Sequence, residues 1–237
     1  LATVVEEVRQ FVDEYGYREI TLSSLSSGDH PQLEAMIDLL NGTYAHRNIS
    51  FSLPSLKVNT FSLGILEKLG EVRKSGLTFA IETPNEAWQQ AMNKPVPLRQ
   101  VIEIIQEAKS RGWRLAKFYF MVGLPFVDRE EENREIVDYL GAIWDETKLN
   151  MNINIGTFIP KAHTPFQWCA QLPAAEAQDQ LHHLKKMIIA RIKGARVNYH
   201  DPTISYIEAL VSRGDERFAD VIESAYDKGC RLDAWDE

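Results

Sequence analysis

Only two cysteines, Cys169 and Cys230, stand in this chain of 237 residues, and they are far apart. They supply neither a Cys-x-x-Cys pair nor the three or four thiolates that zinc or an iron–sulfur cluster takes, so cysteine builds no metal site here. Long apolar runs are also lacking. The densest stretch, Phe118 to Val127, is interrupted by Gly123 and Pro125, well short of the roughly 18 apolar residues of a membrane helix. Positive charge is scarce as well: a formal net charge of -8 leaves no basic footprint and disfavours nucleic acid. The chain starts without Met, without a basic n-region and without an apolar signal segment. The expectation is a soluble, cytoplasmic fragment of a longer protein.

The hydrophobic fraction of 44% suits one large α/β domain with an appendage. Val4, Val5, Val8, Phe11, Val12 and Tyr15 recur at helical spacing, with Thr3 and Glu6 in a capping-box pattern and Gly16 as the stop. Strand-like runs follow at Arg18 to Leu25, from Ile49 (ISFSLPSL), from Leu77 (LTFAIE), from Leu115 (LAKFYFMVGLP) and from Met151 (MNINIGTFIP). Between them lie helical faces: Leu33, Met36, Ile37 and Leu40; Leu63, Leu66, Leu69 and Val72; Leu98, Val101, Ile102, Ile105 and Ala108; Ile136, Val137, Leu140, Ile143 and Trp144. Such alternation implies a parallel sheet, open or closed into a barrel. After Gln171 the pattern reads as helices only: Ala174 to Lys193, Thr203 to Ser212 opened by Asp201 and Pro202, and Glu216 to Lys228 ended by Gly229.

In parallel α/β folds the working loops lie at the carboxyl ends of the strands. After the first strand, Ser26, Gly28 and Asp29 group acceptors that suit an ammonium, although Asp29 before a Pro-containing turn reads equally as a helix cap. Ser55 and Lys57 are polar positions amid apolar ones. Glu82 ends a buried strand, where an unpaired charge is costly, and so needs a partner. Gly123, before Leu124 and Pro125, removes a side chain where a flat ring has room, though a simple turn explains the triplet as well. Phe158, Ile159 and His163 follow the fifth strand, and the histidine reads as a hydrogen-bonding loop residue. His182 and His183 are adjacent on a helix and cannot share one metal in the i, i+4 manner. No catalytic acid–base pair or nucleophile stands out.

The order of TLSSLSSGDHP, SFSLPSLKVNTFS, VRKSGLTFAIET, KFYFMVGLPFVDREE, NINIGTFIPKAHTPFQW and the segment from Val197 to Trp235 resembles the radical S-adenosylmethionine superfamily. The closest likeness is to a branch whose members often carry an upstream cobalamin-binding-like domain. The resemblance implies a partial (β/α)6 TIM-like barrel over residues 1–170 that lacks its first strand, then a C-terminal helical extension over 171–237. It implies S-adenosylmethionine and a 4Fe-4S cluster as cofactors, the cluster held by a CxxxCxxC loop upstream of Leu1. The reaction implied is reductive cleavage of S-adenosylmethionine to a 5'-deoxyadenosyl radical, and the isolated chain is expected to be inactive.

By the same resemblance Ser26, Gly28 and Asp29 meet the methionyl ammonium, and Ser55, Lys57 and Glu82 approach the methionyl or ribose portion. Gly123, Leu124 and Pro125 support the adenine, with Phe158 and Ile159 nearby. The segment FAIETPNEAW departs from the Pro-Glu-Ala-Gly turn the family leads one to expect. The substrate is not specified, and the upstream domain is the expected partner. Two other readings fit the residues: a degenerate barrel that serves as a docking module, and a cluster-free TIM-like enzyme on a phosphorylated small molecule.

Overall fold

A computed structural model describes residues 1–23, 30–52 and 77–231. The chain divides into two compact units, Leu1–Phe118 with Ala142–Asn152, and Tyr119–Gly141 with Ile153–Glu237.

The first unit opens with α1 (Ala2–Arg9), which runs on into a π-helical turn, Gln10–Glu14. The Thr3–Glu6 capping box does not form. Thr3 is already inside the helix, and Glu6 turns outward to pair with Arg9 at 2.8 Å. Next come β1 (Glu19–Thr21), α2 (Leu33–Tyr44) and β2 (Ser50–Ser52). The two strands pair in parallel, Ile20 opposite Phe51. As the period-3.6 pattern requires, α2 buries Leu33, Met36, Ile37, Leu40 and Tyr44 with Val8, Val12, Ile49 and Phe51. Ile37 and Leu40 are fully enclosed, each contributing about 1.5–3 kcal/mol relative to exposure. The expected helical face at Leu63, Leu66, Leu69 and Val72 lies outside the described residues.

Further along are β3 (Leu77–Glu82), α3 (Glu86–Ala91), α4 (Leu98–Ser110) and β4 (Leu115–Val122). They are followed by α5 (Arg129–Thr147), β5 (Asn150–Thr157), α6 (Ala174–Arg191), β6 (Arg196–Tyr199), α7 (Pro202–Arg213) and α8 (Phe218–Asp227). The strand order of the second sheet is β3-β4-β5-β6. Asn150 N–H donates to Arg114 O at one end of the β4–β5 pair, and Phe158 N–H donates to Val122 O at the other. The sequence offset is the same at both ends, so these strands run parallel.

The expectation of helices alone after Gln171 is corrected by β6, beside which His200 N–H donates to Ile155 O. Four residues with Val197 as their only buried member carry too little alternation to register as a strand. Asp201 caps α7 as expected, accepting from Thr203 N–H at 2.7 Å with Pro202 in the first turn, and Gly229 at φ +99° follows the end of α8. Among the described residues no helix is long and apolar enough to cross a membrane.

In the second unit the buried faces of α5 and α6 include Ile136 and Leu140, and Ala177, Leu181, Leu184 and Ile188. Tyr139 packs edge-on to Phe120 at 6.1 Å, and its hydroxyl is buried without a hydrogen-bond partner. An orphaned buried hydroxyl costs about 1–3 kcal/mol. Tyr139→Phe therefore raises the thermal midpoint, by about 2–4 °C for each kcal/mol gained in a chain of this size; a fall in scanning calorimetry would mean that the hydroxyl makes a stabilising contact.

Candidate functional site

Each strand of the second sheet has one closed and one open side. In β3, Thr78, Ala80 and Glu82 alternate with buried Leu77, Phe79 and Ile81. In β4, Lys117, Tyr119 and Met121 alternate with buried Ala116, Phe118, Phe120 and Val122. In β5, Asn152, Asn154 and Gly156 alternate with buried Met151, Ile153, Ile155 and Thr157. A parallel sheet normally has both faces covered by apolar packing. These strands instead keep polar groups on a half-exposed side.

Within the first unit, β3 ends on a strained residue. Glu82 has φ +66°, and Thr83 N–H donates to Ile81 O across it at 2.9 Å, which is a γ-turn of the rare positive-φ form. Such a conformation costs about 1–3 kcal/mol in a non-glycine residue and persists only where its surroundings impose it. Gln89, only 3% exposed, does so. Its Nε2 donates to Thr83 O at 2.8 Å, and its Oε1 accepts from Val96 N–H at 2.8 Å. Asn85 caps α3 by accepting from Trp88 N–H, and Thr83 Oγ1 accepts from Asn85 N–H. The carboxylate of Glu82 receives Lys94 Nζ at 2.7 Å, both side chains remaining partly exposed. The partner that burial demanded of Glu82 is thus a lysine of the same loop.

Within the second unit, the loop after β4 is held by Glu132, which is 2% exposed. Its Oε2 accepts from Gly123 N–H at 2.9 Å, its Oε1 from Leu124 N–H at 3.3 Å, and Gln180 Nε2 donates to Oε2 at 2.6 Å. Burial pushes the carboxyl of Glu132 above its ordinary range, outweighing these three donors. Gly123 has φ +78°, and a Cβ there would meet Leu172 Cβ at 3.1 Å. Its missing side chain makes room for Leu172 rather than for a flat ring.

Phe158 N–H donates to Val122 O, so the loops after β4 and β5 begin side by side. The Phe158 ring is buried edge-to-face with Phe166 at 6.0 Å, and Ile159 beside it is half-buried. His163 takes φ +62°, and its backbone N–H donates to Gln167 Oε1, a loop-forming role. Gly123, Leu124, Pro125, Phe158 and Ile159 thus share the second unit, and Glu82 belongs to the first. Ser26, Gly28, Asp29, Ser55 and Lys57 lie outside the described residues.

Three residues that build these loops, Glu132, Gln180 and Lys94, carry no signal as active-site groups. Glu132 and Gln180 each left one trace: they are polar residues in phase with an apolar stripe, Glu132 four before Ile136 and Gln180 four before Leu184. Among the described residues no group of three or more His, Cys, Asp or Glu is placed to hold a metal ion.

The family model for the radical SAM superfamily matches residues 1–140. This chain belongs to that superfamily. It is 23% identical over 205 residues to an uncharacterised protein of Methanocaldococcus jannaschii, covering 86% of this chain and 43% of that relative. A shorter stretch of 111 residues is 27% identical to the alpha-1,3/1,6-mannosyltransferase ALG2 of Mus musculus, covering 47% of this chain and 26% of that protein. The chain thus spans less than half the length of each of these relatives.

The carboxylate of Glu132 presents one oxygen to each of two backbone donors, whereas an amide in its place faces one of them with its own N–H. Glu132→Gln therefore costs about 1–3 kcal/mol by leaving a buried donor unsatisfied. The folded-state pKa of Glu132 lies above its unfolded value, so the stability tied to its neutral form is present below the ordinary carboxylate range. That stability is lost as pH rises through the raised value. Denaturant titrations over weakly acidic to neutral pH should show the variant's deficit shrinking with rising pH; a constant deficit would contradict the raised pKa.

Proposed function

We propose that this chain supplies part of the S-adenosylmethionine-binding wall of a radical enzyme, its strands forming a partial barrel whose polar, half-exposed side faces the cofactor. The enzyme reductively cleaves S-adenosylmethionine to a 5'-deoxyadenosyl radical, using a 4Fe-4S cluster held upstream of Leu1 in the full-length protein. The observation that carries the reading is Glu82. A strained carboxylate at the carboxyl end of a strand, inside the matched family stretch, is presented by a loop whose bonds serve to hold it there.

S-adenosylmethionine fits the residues present. The Glu82 carboxylate accepts from a hydroxyl or ammonium, and the loop from Gly123 through Leu124 and Pro125, with Phe158 and Ile159 beyond β5, offers apolar atoms to the adenine. When bound, the cofactor supplies a sulfonium whose carbon–sulfur bond breaks on one-electron reduction. The cluster does not fit these residues: Cys169 and Cys230 are the only thiols, and three are required. The chain alone is accordingly inactive. Its own residues orient the nucleoside and exclude water, a task that needs no acid–base pair.

The test is anaerobic cluster reconstitution of the full-length protein followed by chromatography for 5'-deoxyadenosine formed from S-adenosylmethionine and a low-potential reductant. Product is expected, and Glu82→Ala lowers its rate about tenfold or more at unchanged iron content. A full-length sequence with an intact upstream region but no CxxxCxxC, or a loaded protein that makes no 5'-deoxyadenosine, would overturn the proposal.

A further inference from the structure

Lys94 has a role beyond neutralising a charge. Among the described residues, one oxygen of Glu82 accepts from Lys94 Nζ at 2.7 Å and the other accepts from nothing, while the ammonium has further N–H bonds to give. The pair therefore offers an acceptor and a donor side by side, both partly open to solvent. A bare carboxylate suits a cation. A carboxylate with an ammonium beside it suits two adjacent hydroxyls, one donating to Glu82 and the other accepting from Lys94.

The spacing of the two groups is set by the backbone. Gln89 bonds Thr83 O with one end of its amide and Val96 N–H with the other, tying together the two arms that carry Glu82 and Lys94. Lys94 N–H donates to Gln89 O at 2.8 Å, and Asn93 before it takes φ +52°. Two left-handed non-glycine residues, Glu82 and Asn93, lie in one short loop, and each aims one member of the pair.

We propose that Lys94 is a specificity-determining residue that makes the Glu82 site selective for a vicinal diol, the ribose of a nucleoside. This rests on the S-adenosylmethionine reading above and adds a residue that orients the ligand rather than reacting with it.

The experiment is equilibrium dialysis of adenosine and 2'-deoxyadenosine with the full-length, cluster-loaded protein, comparing wild type with Lys94→Met, Lys94→Gln and Lys94→Arg. Circular dichroism melting serves as the folding control. The wild type should prefer adenosine by about ten- to hundredfold, the value of one charge-assisted hydrogen bond. Lys94→Met and Lys94→Gln should lose most of that preference while holding 2'-deoxyadenosine as well as the wild type does, and Lys94→Arg should keep much of it. Equal weakening toward both nucleosides would reduce Lys94 to a structural support, and equal wild-type affinity for both would show that no diol is read; either overturns the inference and leaves the cofactor reading standing. No binding of adenosine or of S-adenosylmethionine by the wild type overturns both.

Discussion

A polar side chain taken out of water must be matched atom by atom, and two such side chains hold the loops on which any ligand binding here depends. Gln89 is the fourth residue of α3 and Glu132 the fourth of α5. Side chains of an α-helix lean toward its N-terminus, so a residue at the end of the first turn reaches back over the loop that leads into the helix. Gln89 grips the carbonyl of Thr83, and Glu132 grips the N–H groups of Gly123 and Leu124. In both cases a buried group on a rigid helix fixes the backbone just beyond the end of a strand. The choice of residue follows the groups to be met. An amide can serve a carbonyl and an N–H at once, as Gln89 does, whereas two N–H donors call for a carboxylate.

The carboxylate is the more expensive choice, since desolvating a charge costs more than desolvating an amide. Glu132 recovers part of the cost from the N-terminal end of α5, where the helix dipole favours negative charge, and part from Gln180. Gln180 lies beyond the residues matched by the family model. The segment after Gln171 is therefore joined to the loop it supports, and it places β6 in the sheet as well. The appendage read from the sequence as a helical extension is part of the second unit's construction.

What was legible in the sequence follows from how strongly each element depends on periodicity. The run LTFAIE became β3 to the residue, and the apolar stripes of α2 and α4 are the buried faces. These elements are long enough for a period of 2 or 3.6 to show. β6 was invisible because it is short and half wet, and the Thr3–Glu6 cap was misread because spacing does not reveal where a helix starts. Glu82 was marked out because a charge at a strand end is physically conspicuous. Its lysine was not, since Lys94 is twelve residues away and reaches the carboxylate through a loop closed by a buried glutamine. Pairings made by irregular backbone have no period to betray them.

The energetics of that loop explain why its geometry points to function. Holding Glu82 at positive φ costs about 1–3 kcal/mol, and a partly exposed ion pair with Lys94 returns about 0–1 kcal/mol. The two bonds of Gln89 contribute about 0.5–1.5 kcal/mol each. The gains do little more than cancel the strain, so the arrangement adds little to stability, and a glycine at position 82 would remove the strain outright. A strained acid is a poor choice for a residue that only ends a strand. It is a reasonable one where the left-handed turn directs a carboxylate that a relaxed backbone would aim elsewhere, and where a ligand's own hydrogen bonds supply the stabilisation that the empty loop lacks.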